Sequence, residues 1–228
     1  MGLVFVIVIS SVYILNLPIW QIKEVVVNGS KMLPADYVKG VSGIPLSENL
    51  FFADLSRAKK NLKKISAIKS FRLHRLPPQT VLISIEERQP LATLVLKDRS
   101  VVIDSDGVII NHNPDIYVDV SNLAELPVVT GIACNEDRLD AVSASLITRV
   151  LTTLRAYMKA GQIQLDMGGL KEIGFLLDDL LKVRLGSSQD IEKKMQVFEA
   201  LLLQVSGRWA KVDYIDVRYP DYPVIKFK

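Results

Sequence analysis

The order of secondary structure predicted between Ile22 and Glu87 limits the fold more than any other feature of the chain. Valine-rich residues 22–28 predict a strand, which ends at the turn tripeptide Asn28-Gly29-Ser30. The predicted elements are, in order, a strand, two helices and two strands, at residues 22–28, 35–41, 54–66, 68–76 and 80–87. A unit of this kind buries one face of a small sheet under two helices.

The N-terminal residues form an apolar segment without charge. Residues 3–17 would span about 22 Å as a helix, and extension through Trp20 brings this close to the roughly 30 Å of a bilayer core. A secretory signal peptide is the alternative, but it needs a basic start and small residues at a cleavage site, and neither is present. We therefore predict an uncleaved transmembrane helix at residues 1–20.

The second predicted helix has a clear apolar periodicity. Leu55, Ala58, Leu62 and Ile65 recur at helical spacing and predict a buried stripe. The residues around the stripe are basic: Arg57, Lys59, Lys60, Lys63 and Lys64. We interpret them as a solvated face, with a partner surface close to the membrane as the alternative.

The second half of the chain mixes strands and helices and predicts a separate α+β domain at residues 89–228 with an antiparallel sheet. Strands are predicted at residues 91–96, 100–103, 108–111, 163–166, 172–177 and 182–185. Helices are predicted at residues 139–157 and 188–205. The first of these helices is expected to bury Leu139, Val142, Leu146, Val150 and Leu154, and the second Ile191, Met195, Phe198, Leu202 and Val205.

The last predicted elements are a strand from residue 210, a corner at Tyr219-Pro220-Asp221-Tyr222-Pro223, and a short apolar strand at residues 224–227. Alternation predicts Val212, Tyr214 and Asp216 on one face of the first strand. A proline at the start of the final strand fits a sheet edge, where no ladder hydrogen bond is lost. Such an edge is either merely structural or a site at which a partner adds a strand.

Catalytic, metal and cofactor chemistry have no support in the sequence. One cysteine, Cys134, excludes an intrachain disulfide and a metal site with several cysteines, and the two histidines, His74 and His112, lie far apart without carboxylate spacing. Asp104-Ser105-Asp106-Gly107 lacks the twelfth ligand of a calcium loop and predicts a hairpin turn. With 28 basic and 25 acidic residues, no charge excess predicts a nucleic-acid partner. We expect no enzyme and no cofactor.

Several segments together resemble one known family. They are IKEVVVNG from Ile22, GIPLSENLFFADL from Gly43, IKSFRLHRLPPQTVLISIEERQPLA from Ile68, IDSDG from Ile103, LPVVTG from Leu126, KVRLG from Lys182 and YIDVRY from Tyr214. In their order and spacing they are similar to the FtsQ/DivIB cell-division proteins, in which a POTRA domain follows a membrane helix. Within the POTRA pattern, the matching residues are Arg75, Pro77, Glu86, Glu87, Arg88 and Pro90.

The resemblance implies three segments: a transmembrane helix at 1–20, a POTRA domain at 21–88 and an FtsQ-type β domain at 89–228. It implies a non-enzymatic scaffold of the division septum in the bacterial inner (plasma) membrane, with most of the chain on the periplasmic or extracytoplasmic side. The implied partners are the small coiled-coil proteins FtsB and FtsL and, indirectly, the septal peptidoglycan synthase. The alternatives are a POTRA protein of outer-membrane assembly or secretion, and a membrane-anchored cell-wall enzyme.

In this family the FtsB partner adds a strand to the terminal edge. The match carries this role to Tyr219, Val224, Ile225, Lys226 and Phe227. The chain departs from the family at the corner, where Tyr222-Pro223 stands in place of a frequent glycine, so the side-chain contacts there are expected to differ.

Overall fold

The structure is a computed structural model that describes residues 2–97, 99–110, 126–135, 137–157, 163–205 and 208–228. The chain divides into two compact units, with a boundary between Arg88 and Gln89. Unit 1 comprises the described residues up to Arg88, and unit 2 comprises those from Gln89 onwards. His112 lies outside the described residues.

Unit 1 begins with helix α1, Gly2–Leu15, which is followed by a separate 3-10 turn at Pro18–Trp20. The prediction of one helix through Trp20 is wrong in length. Leu17, which precedes Pro18, is extended (φ −64°, ψ 145°) because a residue before proline is disfavoured in helical geometry. In the part of the chain that the structure describes, no helix combines the length and the apolarity needed to cross a membrane.

The remainder of unit 1 has the predicted order of strand, two helices and two strands. The elements are β1 Glu24–Asn28, α2 Ala35–Ser42, α3 Ser56–Leu62, β2 Ile68–Leu76 and β3 Thr80–Glu87. The sheet order is β1-β3-β2, with β1 parallel and β2 antiparallel to β3. Helix α3 is shorter than predicted because its ends close as turns, yet Leu55, Ala58, Leu62 and Ile65 are all buried, as predicted.

A buried carboxylate fastens the connection between β1 and α2. Glu87, at the end of β3, accepts hydrogen bonds from the backbone N–H groups of Lys31 (3.0 Å), Met32 (2.8 Å) and Leu33 (2.9 Å). The preceding turn residue, Gly29, has φ +88°, and a Cβ at this position would collide with the carbonyl oxygen of Ile85. The loop therefore crosses β3 closely and is held there by Glu87.

Unit 2 is built on a nine-stranded mixed sheet. Its strands are β4 Ala92–Val95, β5 Ser100–Ile103, β6 Ile109–Ile110, β7 Val128–Thr130, β8 Ile163–Asp166, β9 Ile173–Leu177, β10 Leu181–Gly186, β11 Val212–Asp216 and β12 Val224–Phe227. Their order is β12-β11-β10-β9-β8-β7-β4-β5-β6. The pairs β4–β7, β7–β8 and β10–β11 are parallel, so the prediction of an antiparallel sheet is wrong.

The helices of unit 2 explain two of these parallel pairs. Helix α4, Ala141–Arg155, connects β7 to β8, and helix α5, Ile191–Gln204, connects β10 to β11. A helical crossover returns the chain to the same end of the sheet, so the second strand runs parallel to the first. The predicted core side chains of α5 are buried, and Phe198 makes an edge contact with Phe175 on β9 (5.1 Å between ring centroids). On α4, Val142 is exposed, contrary to the prediction, and Ile147 and Leu151 are buried.

We expect the N-cap of α4 to give a stability difference that depends on pH. Asp140 accepts a hydrogen bond from the backbone N–H of Ser143 (2.9 Å), and this bonding holds the pKa of Asp140 below its usual value. Replacement Asp140→Ala should lower the free energy of unfolding by about 1 kcal/mol at pH 7.

Because the folded-state pKa lies below the unfolded value of about 3.9, the contribution of Asp140 is present above that pH and is lost as the pH falls through the folded pKa. Urea unfolding of the wild-type and Asp140→Ala chains at pH 7 and pH 2 measures this contribution. If the two chains differed in free energy of unfolding by the same amount at both pH values, the N-cap role of Asp140 would be contradicted.

Candidate functional site

Strand β12 lies at one end of the nine-stranded sheet. It pairs antiparallel with β11, and no strand within the described ranges pairs with its other side. The predicted position of the terminal strand at a sheet edge is confirmed. The edge is four residues long and begins directly after Pro223, which has no N–H to offer.

A bulge in β11 changes the predicted faces of this strand. The register pairs Val212 with Phe227 and Tyr214 with Lys226, so Asp213 is an extra residue. Val212 therefore lies on the buried face together with Ile215, and Tyr214 on the opposite face. The prediction that Val212 and Tyr214 share a face is wrong for this reason.

The register also determines which backbone groups of β12 face outward. Lys228 donates its N–H to the carbonyl of Lys211 (2.9 Å), so Lys228 points toward β11. Residues of an antiparallel edge alternate in this direction, which turns Val224 and Lys226 toward β11 as well. The N–H and C=O groups of Ile225 and Phe227 consequently point away from the sheet and are available to a further strand.

The side chains of Ile225 and Phe227 lie on the face of the core. Ile225 packs against the core of unit 2 and pairs with buried Ile215. Phe227, at the end of the strand, keeps 52% of its surface exposed. Of the two side chains, Phe227 is the one that can enter a pocket of a partner without disturbing the core.

The opposite face of the edge carries a basic and aromatic cluster. Arg184 and Lys226 both lie over the Tyr214 ring, at 4.5 Å and 5.5 Å from its centroid. Lys226 forms an ion pair with Asp213 (2.8 Å), which raises the pKa of Lys226 and lowers the pKa of Asp213. Arg184 and Tyr214 belong to the sequence segments quoted above, but nothing in the sequence alone indicated that they meet.

The corner between β11 and β12 is attached to its surroundings. Val217 donates its N–H to the carbonyl of Arg184 (3.0 Å), and Asp221 forms an ion pair with Lys193 on α5 (2.6 Å). The ion pair raises the pKa of Lys193. Tyr219 and Tyr222 are both highly exposed on this anchored corner. Tyr222 donates its N–H to the carbonyl of Tyr219 (2.9 Å), so Tyr219 lies in the corner that leads into β12, and the other four predicted residues form the edge strand itself.

Other candidate features have structural roles. Asp104 accepts hydrogen bonds from the N–H groups of Asp106 (3.0 Å) and Val108 (2.8 Å), and Gly107 has φ +72°, which confirms the predicted hairpin turn. Within the described residues, no group of three metal-ligating side chains exists. His74 is an exposed residue of β2.

Two family profiles match the chain in succession. One, described as "POTRA domain, FtsQ-type", matches residues 20–88. The other, described as "Cell division protein FtsQ/DivIB, C-terminal", matches residues 93–218, which is more than half of the chain. The chain belongs to the FtsQ/DivIB family of cell division proteins. The FtsQ type of the POTRA match favours this assignment over a POTRA protein of outer-membrane assembly.

Individual relatives agree with the family. A cell division protein FtsQ of Corynebacterium glutamicum is 28% identical over 211 residues, covering 91% of this chain and 90% of the relative. A cell division protein DivIB of Clostridium botulinum is 23% identical over 229 residues, covering 97% of this chain and 87% of the relative. A cell division protein FtsQ of Caulobacter vibrioides is 32% identical over 113 residues, covering 49% of this chain and 35% of the relative. The C-terminal profile of FtsQ/DivIB ends at Arg218, so Tyr219 and β12 lie beyond the matched residues.

Proposed function

We propose that this FtsQ/DivIB protein is a non-enzymatic scaffold of the division septum that captures small coiled-coil partners, FtsB and FtsL, by adding a partner strand to β12. The binding residues are Tyr219, Val224, Ile225, Lys226 and Phe227. The septal peptidoglycan synthase is engaged indirectly, through these partners. In this proposal residues 1–20 attach the chain to the membrane, residues 21–88 form the POTRA domain and residues 89–228 carry the binding edge.

The observation that supports this proposal is the outer side of β12, which no strand among the described residues pairs with. The outward N–H and C=O groups of Ile225 and Phe227 form the hydrogen-bonding row that an added strand requires. Each hydrogen bond contributes about 0.5–1.5 kcal/mol net. So few bonds give only modest affinity, and side-chain contacts must supply the rest together with the specificity.

The side chains around the edge favour a partner with both apolar and acidic residues. Phe227 and Tyr219 offer exposed aromatic surface, and aromatic residues supply much of the binding energy at protein interfaces. The face next to β12 carries Arg184, Lys226 and Lys182 against the acidic Asp213 and Asp216, so its local balance is basic. An acidic residue near the added strand would complement this charge.

Attachment to the membrane is supported by the exposed apolar surface of α1. Val4, Phe5, Ile7, Ile9 and Ile14 are all exposed, and the helix contains no charged residue. An uncharged helix that is apolar on every side and not packed into a core suits a lipid environment. Extraction of host membranes with alkaline carbonate tests this: the protein should stay in the membrane pellet, and release into the supernatant would refute attachment by α1.

Phe227→Ala is expected to weaken the capture of a purified FtsB–FtsL complex about tenfold, because the variant removes the exposed aromatic side chain of the edge. Calorimetric titration of the full chain measures the affinity, and thermal unfolding checks that unit 2 remains folded. Leu180→Ala is the matched control, since Leu180 is exposed to a similar extent (50% against 52%) but lies between β9 and β10. Equal affinities of the Phe227→Ala and wild-type chains would count against the edge.

The role in division has its own test. Depletion of the protein from its host should produce filaments without septa, and expression of the wild-type chain should restore division. Normal septa after depletion would refute the proposed role. A filamenting phenotype that the Phe227→Ala chain rescues fully would retain the role and reject the edge as its essential surface.

A further inference from the structure

Unit 1 exposes an apolar loop beside the end of α1. This loop, residues 44–53, presents Leu46 (58% exposed) and Phe52 (63% exposed) to the surroundings. Ile19, in the turn that follows α1, is exposed as well. Large apolar side chains that lie exposed together indicate a contact surface, whereas single ones are ordinary.

The apolar loop is attached to the chain that leaves α1. Three hydrogen bonds make this attachment: from the Leu50 N–H to the carbonyl of Trp20 (2.7 Å), from the Ile22 N–H to the carbonyl of Glu48 (2.8 Å) and from the Asn49 side chain to the carbonyl of Leu15 (2.7 Å). The rings of Trp20 and Phe51 meet edge to face, with centroids 5.3 Å apart. The loop therefore keeps a defined position relative to the C-terminal end of α1.

Cationic groups lie next to the apolar loop. Arg75, on β2, donates a hydrogen bond to the carbonyl of Ala53 (2.7 Å), and a small pocket beside Ala53 is lined by Arg75 and Lys59. Asp54 also lines this pocket, and its carboxylate accepts the N–H of Ser56 (2.9 Å). An exposed apolar loop with cations at one end and a tryptophan at its junction with an apolar helix is typical of the headgroup region of an anionic membrane.

We propose that the apolar loop is a second membrane contact, in which Leu46 and Phe52 enter the headgroup region of the bilayer that holds α1. This inference rests on the proposed attachment of α1 to the membrane. A lipid surface is favoured over a protein partner because the loop is fastened to the end of an uncharged helix whose described side chains are mostly exposed apolar residues. The contact would hold unit 1 against the bilayer instead of leaving it tethered by a single helix.

Site-specific labels test the depth of the loop directly. Single cysteines are introduced by Phe52→Cys, Ile9→Cys and Phe227→Cys in a Cys134→Ser background and labelled with an environment-sensitive fluorophore. Each full chain is reconstituted into vesicles of phosphatidylglycerol and phosphatidylcholine in equal parts. A nitroxide on the lipid headgroup should quench the label at position 52 strongly and the label at position 227 little. A nitroxide on the lipid acyl chain should quench the label at position 9, in the middle of α1, and this quenching reports attachment of α1.

The results distinguish failure of the loop contact from failure of the attachment of α1 to the membrane. Quenching at position 9 without quenching at position 52 overturns the loop contact and leaves α1 attached. No quenching at position 9 refutes the attachment, and the inference fails with it. A label at position 52 that responds to the purified division partners but not to vesicles identifies a protein surface and also overturns the inference.

A pair of double variants measures how much the contact contributes. Leu46→Ser with Phe52→Ser should weaken partitioning of the full chain into the same vesicles by about five- to tenfold, because two apolar side chains no longer leave water. Leu180→Ser with Leu203→Ser, two exposed residues of unit 2, is the matched control and should leave partitioning unchanged. Equal partitioning of the two double variants contradicts the proposal.

Discussion

Glu87→Ala should destabilise unit 1 by about 3–4 kcal/mol, one of the largest losses that a single substitution in this chain can produce. The Glu87 carboxylate is buried and accepts three consecutive backbone N–H groups, at Lys31, Met32 and Leu33. Its removal deletes three charge-assisted hydrogen bonds and leaves the Leu33 donor buried and the Lys31 and Met32 donors partly buried. Each unsatisfied buried donor costs about 1–3 kcal/mol.

Two variants control for the loss of charge and of the neighbouring contact. Glu86→Ala removes an adjacent carboxylate that accepts one bond, from the Ser70 hydroxyl (2.9 Å), on an exposed face, and should cost less than about 1 kcal/mol. Glu87→Gln retains one acceptor oxygen and should give an intermediate loss. We therefore expect the loss of stability to be largest for Glu87→Ala, smaller for Glu87→Gln and smallest for Glu86→Ala.

The measurement must report unit 1 alone, because two units can unfold in separate transitions. Trp20 packs on Phe51 in unit 1, and the only other tryptophan, Trp209, lies in unit 2. In a Trp209→Phe background, fluorescence during urea unfolding therefore follows unit 1. A Glu87→Ala chain that is as stable as the Glu86→Ala chain would show that the three backbone donors find other partners.

The sequence predicted the elements of unit 1 well because each has a local signal. The apolar stripe of α3, the left-handed Gly43 after α2 and the proline pair between β2 and β3 are all readable within a few residues. The role of Glu87 was not predictable in this way. Its three donors lie 54 to 56 residues earlier in the chain, and only the folded sheet brings them together.

Unit 2 contains features that local sequence patterns do not predict: the parallel pairing of strands and a bulge. The helices between β7 and β8 and between β10 and β11 were predicted. Each implies a parallel pair only once the two strands that flank it are known to be neighbours in the sheet. The prediction missed β7 because three residues are too few to show a period, and the parallel pairs β4–β7 and β7–β8 were missed with it. The bulge at Asp213 is likewise invisible in an alternating sequence, although it decides which face Val212 occupies.

The candidate edge was predictable in its position but not in its detail. Pro223 and the short apolar strand indicated an edge, and the family resemblance supplied a partner. The alternation of inward and outward backbone groups depends on the register with β11, which only the structure provides. Because of that alternation, a proline substitution can remove one outward N–H group and so test the backbone contact separately from the side chain.

Phe227→Pro should reduce capture of the FtsB–FtsL complex about fiftyfold, which exceeds the roughly tenfold effect expected for Phe227→Ala. Both variants lose the aromatic ring, but only proline also removes the N–H that points to the added strand. The difference between the two variants therefore measures the backbone hydrogen bond. Calorimetric titration of both full chains gives this difference directly.

Lys226→Pro is the control for the direction of the backbone. The N–H of Lys226 points toward β11, so its loss breaks a bond within unit 2 and should lower the stability of the edge as well as the affinity. Phe227→Pro should leave that stability nearly unchanged, because the Phe227 N–H faces no partner strand in the part of the chain that the structure describes. If Phe227→Pro and Phe227→Ala bind the partners equally, no strand is added at Phe227, and the contact must be made by side chains alone.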